Sequence, residues 1–274
     1  MLEVSQCIIC NGTDFIPYKN GLYGIHIYIC TNCKLVFTNL RPDQNELLEK
    51  YGSDYYSHWI TPKQQLRRQK LWQNRVKVVK RVMPSGKLLD VGCGEGLFLY
   101  RAKNAGYDIS GVEISGFAVQ YAKDNFGLDI TKTTLEDSGL QENSFDIITF
   151  WHTLEHLSHP EITLKKAYHL LKPGGHLFVA VPNIHDIIGQ KFYRLINGYY
   201  FQIYTSDSKE PHLYHFSYIT LKLLLEKNNF RVVRLGPDFC QVDPYWKIIE
   251  KISYYVSKLF GKDWYLSILA VARK

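Results

Sequence analysis

The chain has 274 residues, 46% of them apolar, which suffices for a large α/β core plus a small appendage and excludes a disordered segment. Its formal net charge is +7, and no apolar run approaches the roughly 18 residues that span a bilayer. The start, Met1-Leu2-Glu3-Val4-Ser5-Gln6-Cys7, has neither the basic nor the apolar segment of a secretory leader, so a cytoplasmic location is expected.

The first feature in chain order is Cys7-x-x-Cys10 followed by Cys30-x-x-Cys33, with nineteen residues between the pairs. That spacing suits a tetrahedral thiolate site for Zn2+, and four thiolates leave the metal no open position, so its role would be structural. Asn11-Gly12 supplies residue types that tolerate the left-handed backbone of a metal knuckle. Residues 1–40 are therefore expected to form a zinc ribbon of short strands, one of them over 24–29. Disulfides are the alternative, and a cytoplasmic setting disfavours them.

A connector with a basic helix is expected over residues 41–83. Tyr51, Tyr55, Tyr56, His58 and Trp59 crowd into an expected loop, suited to packing on a neighbouring domain or capping a site. Between Gln64 and Arg81 stand seven Lys or Arg and no acidic residue, while Trp72, Val76, Val79 and Met83 recur at helical spacing. This predicts an amphipathic helix with a basic outer face. Such a face is either solvated or offered to an anionic substrate, nucleic acid or a membrane surface.

From 84 to 274 strands and helices alternate, predicting a Rossmann-like, seven-stranded, mostly parallel sheet with helices on both faces. Strands are expected near 87–91, 108–113, 129–133, 145–151, 175–181, 230–235 and 265–272, and helices near 96–105, 116–125, 160–171 and 217–228. Pro173-Gly174-Gly175 is expected to end a helix and turn the chain. Two insertions interrupt the pattern, near 184–210 and 237–264. In the second, Ile248, Ile249, Ile252, Val256, Leu259 and Phe260 share a helical face among lysines. The stretch 245–262 thus either packs on its own domain or lies on a membrane surface.

The strand at 87–91 ends in Asp90 and runs into Gly92, Gly94 and Gly96, which let a backbone approach a nucleotide-type cofactor closely. Leu97 stands where a dinucleotide fingerprint needs its third glycine, and Asp90 and Glu95 would repel a pyrophosphate. S-adenosylmethionine (SAM) carries an ammonium and a sulfonium instead, and both favour acidic neighbours. Glu113 closes the next strand, nineteen residues beyond Gly94, about where a ribose-binding carboxylate belongs.

From Leu88 onward the chain resembles the class I SAM-dependent methyltransferases. The likeness is carried by the glycine loop, Gly111-Val112-Glu113-Ile114-Ser115, Asn143-Ser144-Phe145-Asp146-Ile147-Ile148, Leu154-Glu155-His156-Leu157, Leu170-Leu171-Lys172-Pro173-Gly174-Gly175 and Pro211-His212-Leu213-Tyr214-His215-Phe216-Ser217. The cysteine pairs with Leu35-Val36-Phe37-Thr38 and Tyr55-Tyr56 resemble the zinc-ribbon branch of these enzymes, which includes sugar C-methyltransferases. The resemblance implies that Asp90, Gly92 and Gly94 hold the methionine part of SAM and that Glu113 binds both ribose hydroxyls. It implies that Thr134, Leu135 and Glu136 meet the adenine, and that Trp151 and His152 border the methyl group.

Methyl transfer needs an aligned acceptor, exclusion of water and often a proton acceptor. His152, His156 and His212 are the catalytic candidates, with His215, Glu155 and the Tyr55/His58 pair behind them. The expected reaction is methylation of a small-molecule acceptor, anionic or sugar-linked, such as an intermediate of polysaccharide synthesis. An RNA methyltransferase is the rival enzyme reading, weakened for base amino groups because Phe150-Trp151-His152-Thr153 lacks their proline-rich element. A binding protein that keeps the fold without turnover is the third.

Overall fold

The structure is a computed structural model that describes residues 3–21, 26–42, 46, 50–203 and 211–274. Three short strands come first, β1 (Phe15–Pro17), β2 (Ile27–Cys30) and β3 (Val36–Thr38), pairing antiparallel in that order. Of the strand expected over 24–29, residues 24 and 25 lie outside the described residues. Where a loop was expected after residue 50, the chain forms a short helix, α1 (Ser53–Trp59). The basic helix follows as α2 (Pro62–Val82), started by Pro62 and capped by the Thr61 hydroxyl, which accepts from the Gln64 N–H.

The main sheet is built from β4 (Lys87–Val91), β5 (Asp108–Glu113), β6 (Thr131–Lys132), β7 (Phe145–Trp151), β8 (Leu171–Pro182), β10 (Arg231–Pro237) and β11 (Ser267–Arg273). Its order is β10-β11-β8-β7-β4-β5-β6, with β11 antiparallel to both neighbours and the other pairings parallel. This is the expected Rossmann-like architecture. Helices α3 (Leu97–Asn104), α4 (Gly116–Phe126), α5 (Pro160–Leu170), α6 (Ile187–Asn197), α7 (Tyr218–Lys227) and α8 (Pro244–Phe260) complete the chain. The helix α5 stops at Leu170 and β8 begins at once, so Pro173-Gly174-Gly175 lies within an irregular start of the strand, not in a turn.

The central strands are apolar runs because both of their faces are covered: Leu88, Leu89, Ile147, Ile148 and Phe150 are fully buried. One core packs α2, α3 and Trp151 against the sheet. The other packs α5 and α7 there, and it takes in Cys7, Cys30, Leu35 and Phe37 from the N-terminal segment. A two-residue strand, β9 (Tyr214–His215), extends the small sheet by pairing with β3. The N-terminal strands are thereby bound to a segment almost 180 residues further on in sequence.

In the main sheet the chain winds from β4 through β5 to β6, then crosses back to β7 and β8 on the other side of β4. A crevice opens at such a switch point, above the carboxyl end of β4. The glycine loop lies there.

Candidate active site

Gly92 and Gly94 both adopt positive φ, +66° and +53°. At Gly92 a Cβ would lie 2.5 Å from the Thr153 methyl, so only glycine fits. The turn that results aims the Gly94 N–H at Glu113 Oε2 (2.9 Å), while the Ser115 N–H donates to Oε1 (2.8 Å). Glu113 is buried; burial raises its carboxyl pKa, and the N–H groups of Ser115, Gly94 and Ile114 draw it back down. Each of its oxygens keeps a lone pair for a further donor.

Asp90, also buried, accepts from the Thr149 hydroxyl at 2.6 Å. Burial pushes its pKa up to about 8 against the pull of Thr149 and Arg75. Glu95, the other acid of the loop, is engaged by the Arg68 guanidinium. Two basic residues of α2 therefore face inward: Arg68, and Arg75, which is 3% exposed and donates to Asp238 at 2.7 Å. The basic outer face expected for this helix is smaller by those two. The signal was available, since Arg68, Trp72, Arg75, Val76 and Val79 fall on one helical stripe.

A cavity of about 370 Å³ lies over the ends of β4, β5 and β6, lined by Gly92, Glu113, Thr134, Leu135 and Glu136 among others. Thr134 caps a turn by donating to Asp137 Oδ2 at 2.9 Å, and Glu136 accepts from the Thr163 hydroxyl. Leu135 is buried. A second cavity, about 660 Å³, is bordered by Asp90, Gly94, Trp151 and His212, and by Trp59, Trp72, Tyr193 and Trp246. The two cavities share Tyr55, Tyr56, Gly92, His152 and His156 in their walls. Tyr55 and Tyr56 thus stand in the walls of both cavities, and Tyr56 also stacks on Phe117 of α4; the His58 side chain lies outside the described residues.

Trp151 is wedged against Phe98 and Phe178, with the Arg75 guanidinium stacked 4.6 Å from its ring centre. His152 follows with φ +55° and sits between two buried carboxylates, Glu155 Oε1 and Asp238 Oδ2, each 3.4 Å away. Burial opposes charging this ring, but Asp238, Cys240 and Glu155 outweigh it and hold the pKa well above the usual histidine range. Burial works against Glu155 and Asp238 too, yet their cationic neighbours bring each carboxyl down to about 2. His152 is thus held as an imidazolium.

His156 uses Nδ1 on the Pro211 carbonyl (3.1 Å) and meets His212 ring to ring, 4.8 Å between centres. Burial pushes His212 down to about 3, with His156 adding to the shift, so it is neutral. His215 is neutral for the same reason, and its Nε2 lies 3.1 Å from the Thr38 hydroxyl, away from both cavities. The three catalytic candidates converge on one cavity wall, and Glu155, His156 and His212 bring ligand-type atoms within 4.8 Å of one another. Asp238 and Cys240, which close the other side of His152, come from the second insertion and had no motif to mark them.

Outside both cavities the four N-terminal cysteines converge, their sulfurs all within 4.8 Å. Cys7 and Cys33 are 3.4 Å apart and Cys10 and Cys30 3.5 Å, and all six cysteines are free thiols. The two knuckles repeat one design. Cys7 N–H donates to Gly12 O and Cys30 N–H to Leu35 O, with positive φ at Asn11 and Lys34.

Residues 64–235 match the family model described as a methyltransferase domain. Among curated relatives, a ubiquinone biosynthesis O-methyltransferase of Saccharophagus degradans is 32% identical over 103 residues, covering 35% of this chain and 44% of that protein. The match thus spans less than half the length of such relatives. Among solved structures, a SAM-dependent methyltransferase from Thermotoga maritima aligns with TM-score 0.56 at 21% identity, covering 83% of this chain and 98% of that one. One from Mesorhizobium loti gives TM-score 0.52 at 16% identity, covering 72% and 96%. These structural likenesses establish the fold, and the family match covers more than half of the chain: it belongs to the methyltransferase domain family, whose methyl donor is SAM.

Proposed function

We propose that the chain transfers the methyl group of SAM to a hydroxyl-bearing small molecule held in the larger cavity. The observation that carries this reading is the junction of the two cavities at Gly92 and His152. The smaller cavity suits adenosine, with Glu113 accepting from the ribose hydroxyls and Thr134, Leu135 and Glu136 around the base. Asp90, Gly92 and Gly94 border the larger cavity where the methionine part would extend, with Trp151 beside the methyl group. In the transfer the sulfur–methyl bond breaks as the acceptor–methyl bond forms, and the acceptor oxygen gives up its proton.

The residues divide the remaining work by charge. His152, an imidazolium between Glu155 and Asp238, orients an anionic or strongly polar group of the acceptor. His212, whose pKa burial pushes down to about 3, stays neutral and accepts a hydrogen bond that orients the acceptor hydroxyl, while His156 beside it, with Nδ1 engaged by the Pro211 carbonyl, offers Nε2 to take the proton. The aromatic walls exclude water and stack on a flat or sugar-like ring. A sugar-linked acceptor fits this description, as does a ring of the kind implied by the relative's name, and product identification separates the two.

In this reading residues 1–40 form a ribbon around a structural Zn2+, residues 41–83 form a capping connector and residues 84–274 carry the chemistry. Zinc–sulfur bonds of about 2.3 Å in a tetrahedron put sulfurs roughly 3.8 Å apart, near the spacing of the four thiols. The test is incubation with methyl-labelled SAM and a fractionated metabolite extract, with a parallel arm of total RNA. A labelled small product that His212→Ala forms at least tenfold more slowly is expected. Label in RNA alone would replace the acceptor class. SAM binding without any labelled product would leave a binding protein.

A further inference from the structure

The helix α8 is built inside out. Its inward face buries Ile249 but also Glu250, Ser253 and Ser257, and neither serine hydroxyl has a hydrogen-bond partner among the described residues. Its outward face carries the large apolar residues: Ile248, Ile252, Tyr255, Leu259 and Phe260, the last two 79% and 61% exposed. Positions 245, 248, 252, 255 and 259 form a single stripe along the helix. A helix facing water on that side would have the reverse arrangement.

The stripe continues onto α6, which packs against α8. There Leu195 is 80% exposed and Ile196 55%, followed by exposed Tyr199 and Phe201. An apolar surface made of two adjoining helices is larger than the scattered residues of an ordinary protein surface. Its exposed charges are mostly positive. Lys191 and Arg194 on α6 and Lys251, Lys258 and Lys262 on or beside α8 are exposed, while Glu250 is buried and the two acids flanking α8, Asp243 and Asp263, are paired with Arg67 and His185. Tyrosines at 199, 245 and 255 supply side chains suited to a headgroup layer.

We infer that the α6–α8 face docks on an anionic lipid bilayer, its apolar stripe entering the acyl boundary and its lysines meeting headgroup phosphates. Predominantly positive charge around an apolar stripe, with the flanking acids already paired, matches that surface, whereas a second copy of the chain would bring like charges together. The consequence for the reaction rests on the methyl-transfer reading given above. Gly189, Gln190 and Tyr193 of α6, Phe201, and Trp246 of α8 line the larger cavity. The same two helices that would sit on the bilayer border the acceptor cavity, so the acceptor class this points to is an amphipathic, membrane-borne molecule whose polar end enters toward His152.

The test uses the whole chain with vesicles of phosphatidylcholine alone and of phosphatidylcholine with phosphatidylglycerol. Expected are sedimentation with the anionic vesicles at least tenfold above the neutral ones, weakening with added salt, and loss in the double variant Leu259→Glu/Phe260→Glu. Both residues are exposed and outside the cavities, so the variant should keep its circular dichroism and its SAM affinity. Equal sedimentation with both vesicle types, or none, overturns the docking. So does concentration-dependent self-association that the same variant abolishes. SAM affinity, measured by calorimetry without vesicles, fails independently if the cofactor reading is wrong.

Discussion

The two ends of the cleft are built by different means. At the end proposed for the cofactor, Asp90, Gly92, Gly94 and Glu113 come from two adjacent strands and the turn after one of them, and backbone N–H groups hold Glu113 in place. At the end proposed for the acceptor, His152, His212, Arg75 and Asp238 come from four separate segments and are held by charge and by ring contact. The first arrangement follows from the sheet once β4 and β5 pair. The second exists only when the connector, the ribbon sheet and the second insertion have all packed. A site of this composition can keep one cofactor and change its acceptor by altering the packed segments alone.

The contrast is most easily broken at Arg75. Replacing it with Met leaves Asp238 buried with only His152 for a counter-ion, and losing one partner of a buried pair costs about 3 kcal/mol or more. Thermal unfolding should show that loss at pH 7, and a variant as stable as the parent would mean that the pair holds nothing together. Asp238 has a depressed carboxyl pKa in the folded chain, so its contribution is present above about pH 4. It should fade as the pH falls toward about 2.

The proposed cofactor end should respond chiefly in binding. Glu113→Ala removes the acceptor of two backbone N–H groups and, in the reading above, of the ribose hydroxyls. Charged hydrogen bonds are worth about 1.5–3 kcal/mol each, so SAM affinity should fall by roughly 100-fold with the circular dichroism spectrum kept. Unchanged affinity in calorimetry would remove Glu113 from the cofactor site.

Legibility in the sequence divides along the same line. The strands Lys87–Val91 and Asp108–Glu113 lie where they were expected. In the first, adjacent and fully buried Leu88 and Leu89 reflect cover on both faces, whereas the second, Asp108-Ile109-Ser110-Gly111-Val112-Glu113, has no apolar run and was placed by the alternation of strands and helices. The cysteine pairs were legible because their spacing is itself the geometry. Arg75 was read as a surface charge although it shares a stripe with Trp72 and Val79, since a cation count ignores which face each residue takes. Tyr214–His215 was unreadable as a strand: two residues have no period, and only β3 as a partner makes them one. Asp238 and Cys240 reach His152 through tertiary packing that no local pattern encodes.

The β3–β9 pairing gives the N-terminal strands a measurable hold on the proposed acceptor end. The Thr38 hydroxyl donates to the His212 carbonyl at 2.8 Å, and the Thr38 N–H to the Leu213 carbonyl at 2.9 Å. Cys30→Ser, or chelation of a metal held by the four thiols as proposed, should therefore lower turnover by ~10-fold or more while SAM affinity stays within about twofold, as expected of a support shell that positions a reacting group. Thr38→Val, which removes the hydroxyl alone, should show a smaller loss of the same kind. A parallel fall in SAM affinity would erase the distinction between the two ends.

The finest test reads Asp90 through pH. Its carboxyl, pushed up to about 8 by burial, is neutral at pH 7 in the protein without cofactor. An unfolded Asp loses its proton near pH 4, so from there to about pH 8 the folded chain binds one proton more and its stability declines as pH rises. Cofactor binding should run the other way, because a nearby ammonium or sulfonium favours the carboxylate and expels the proton. Affinity for SAM should rise from pH 6 to pH 8 by up to tenfold per unit, with proton release visible as a dependence of the calorimetric heat on buffer ionisation. The cofactor's own amino group also titrates near pH 8, so the comparison that isolates Asp90 is Asp90→Asn, which keeps the oxygen facing Thr149. Proton release that persists in that variant would transfer the effect to another group of the cleft.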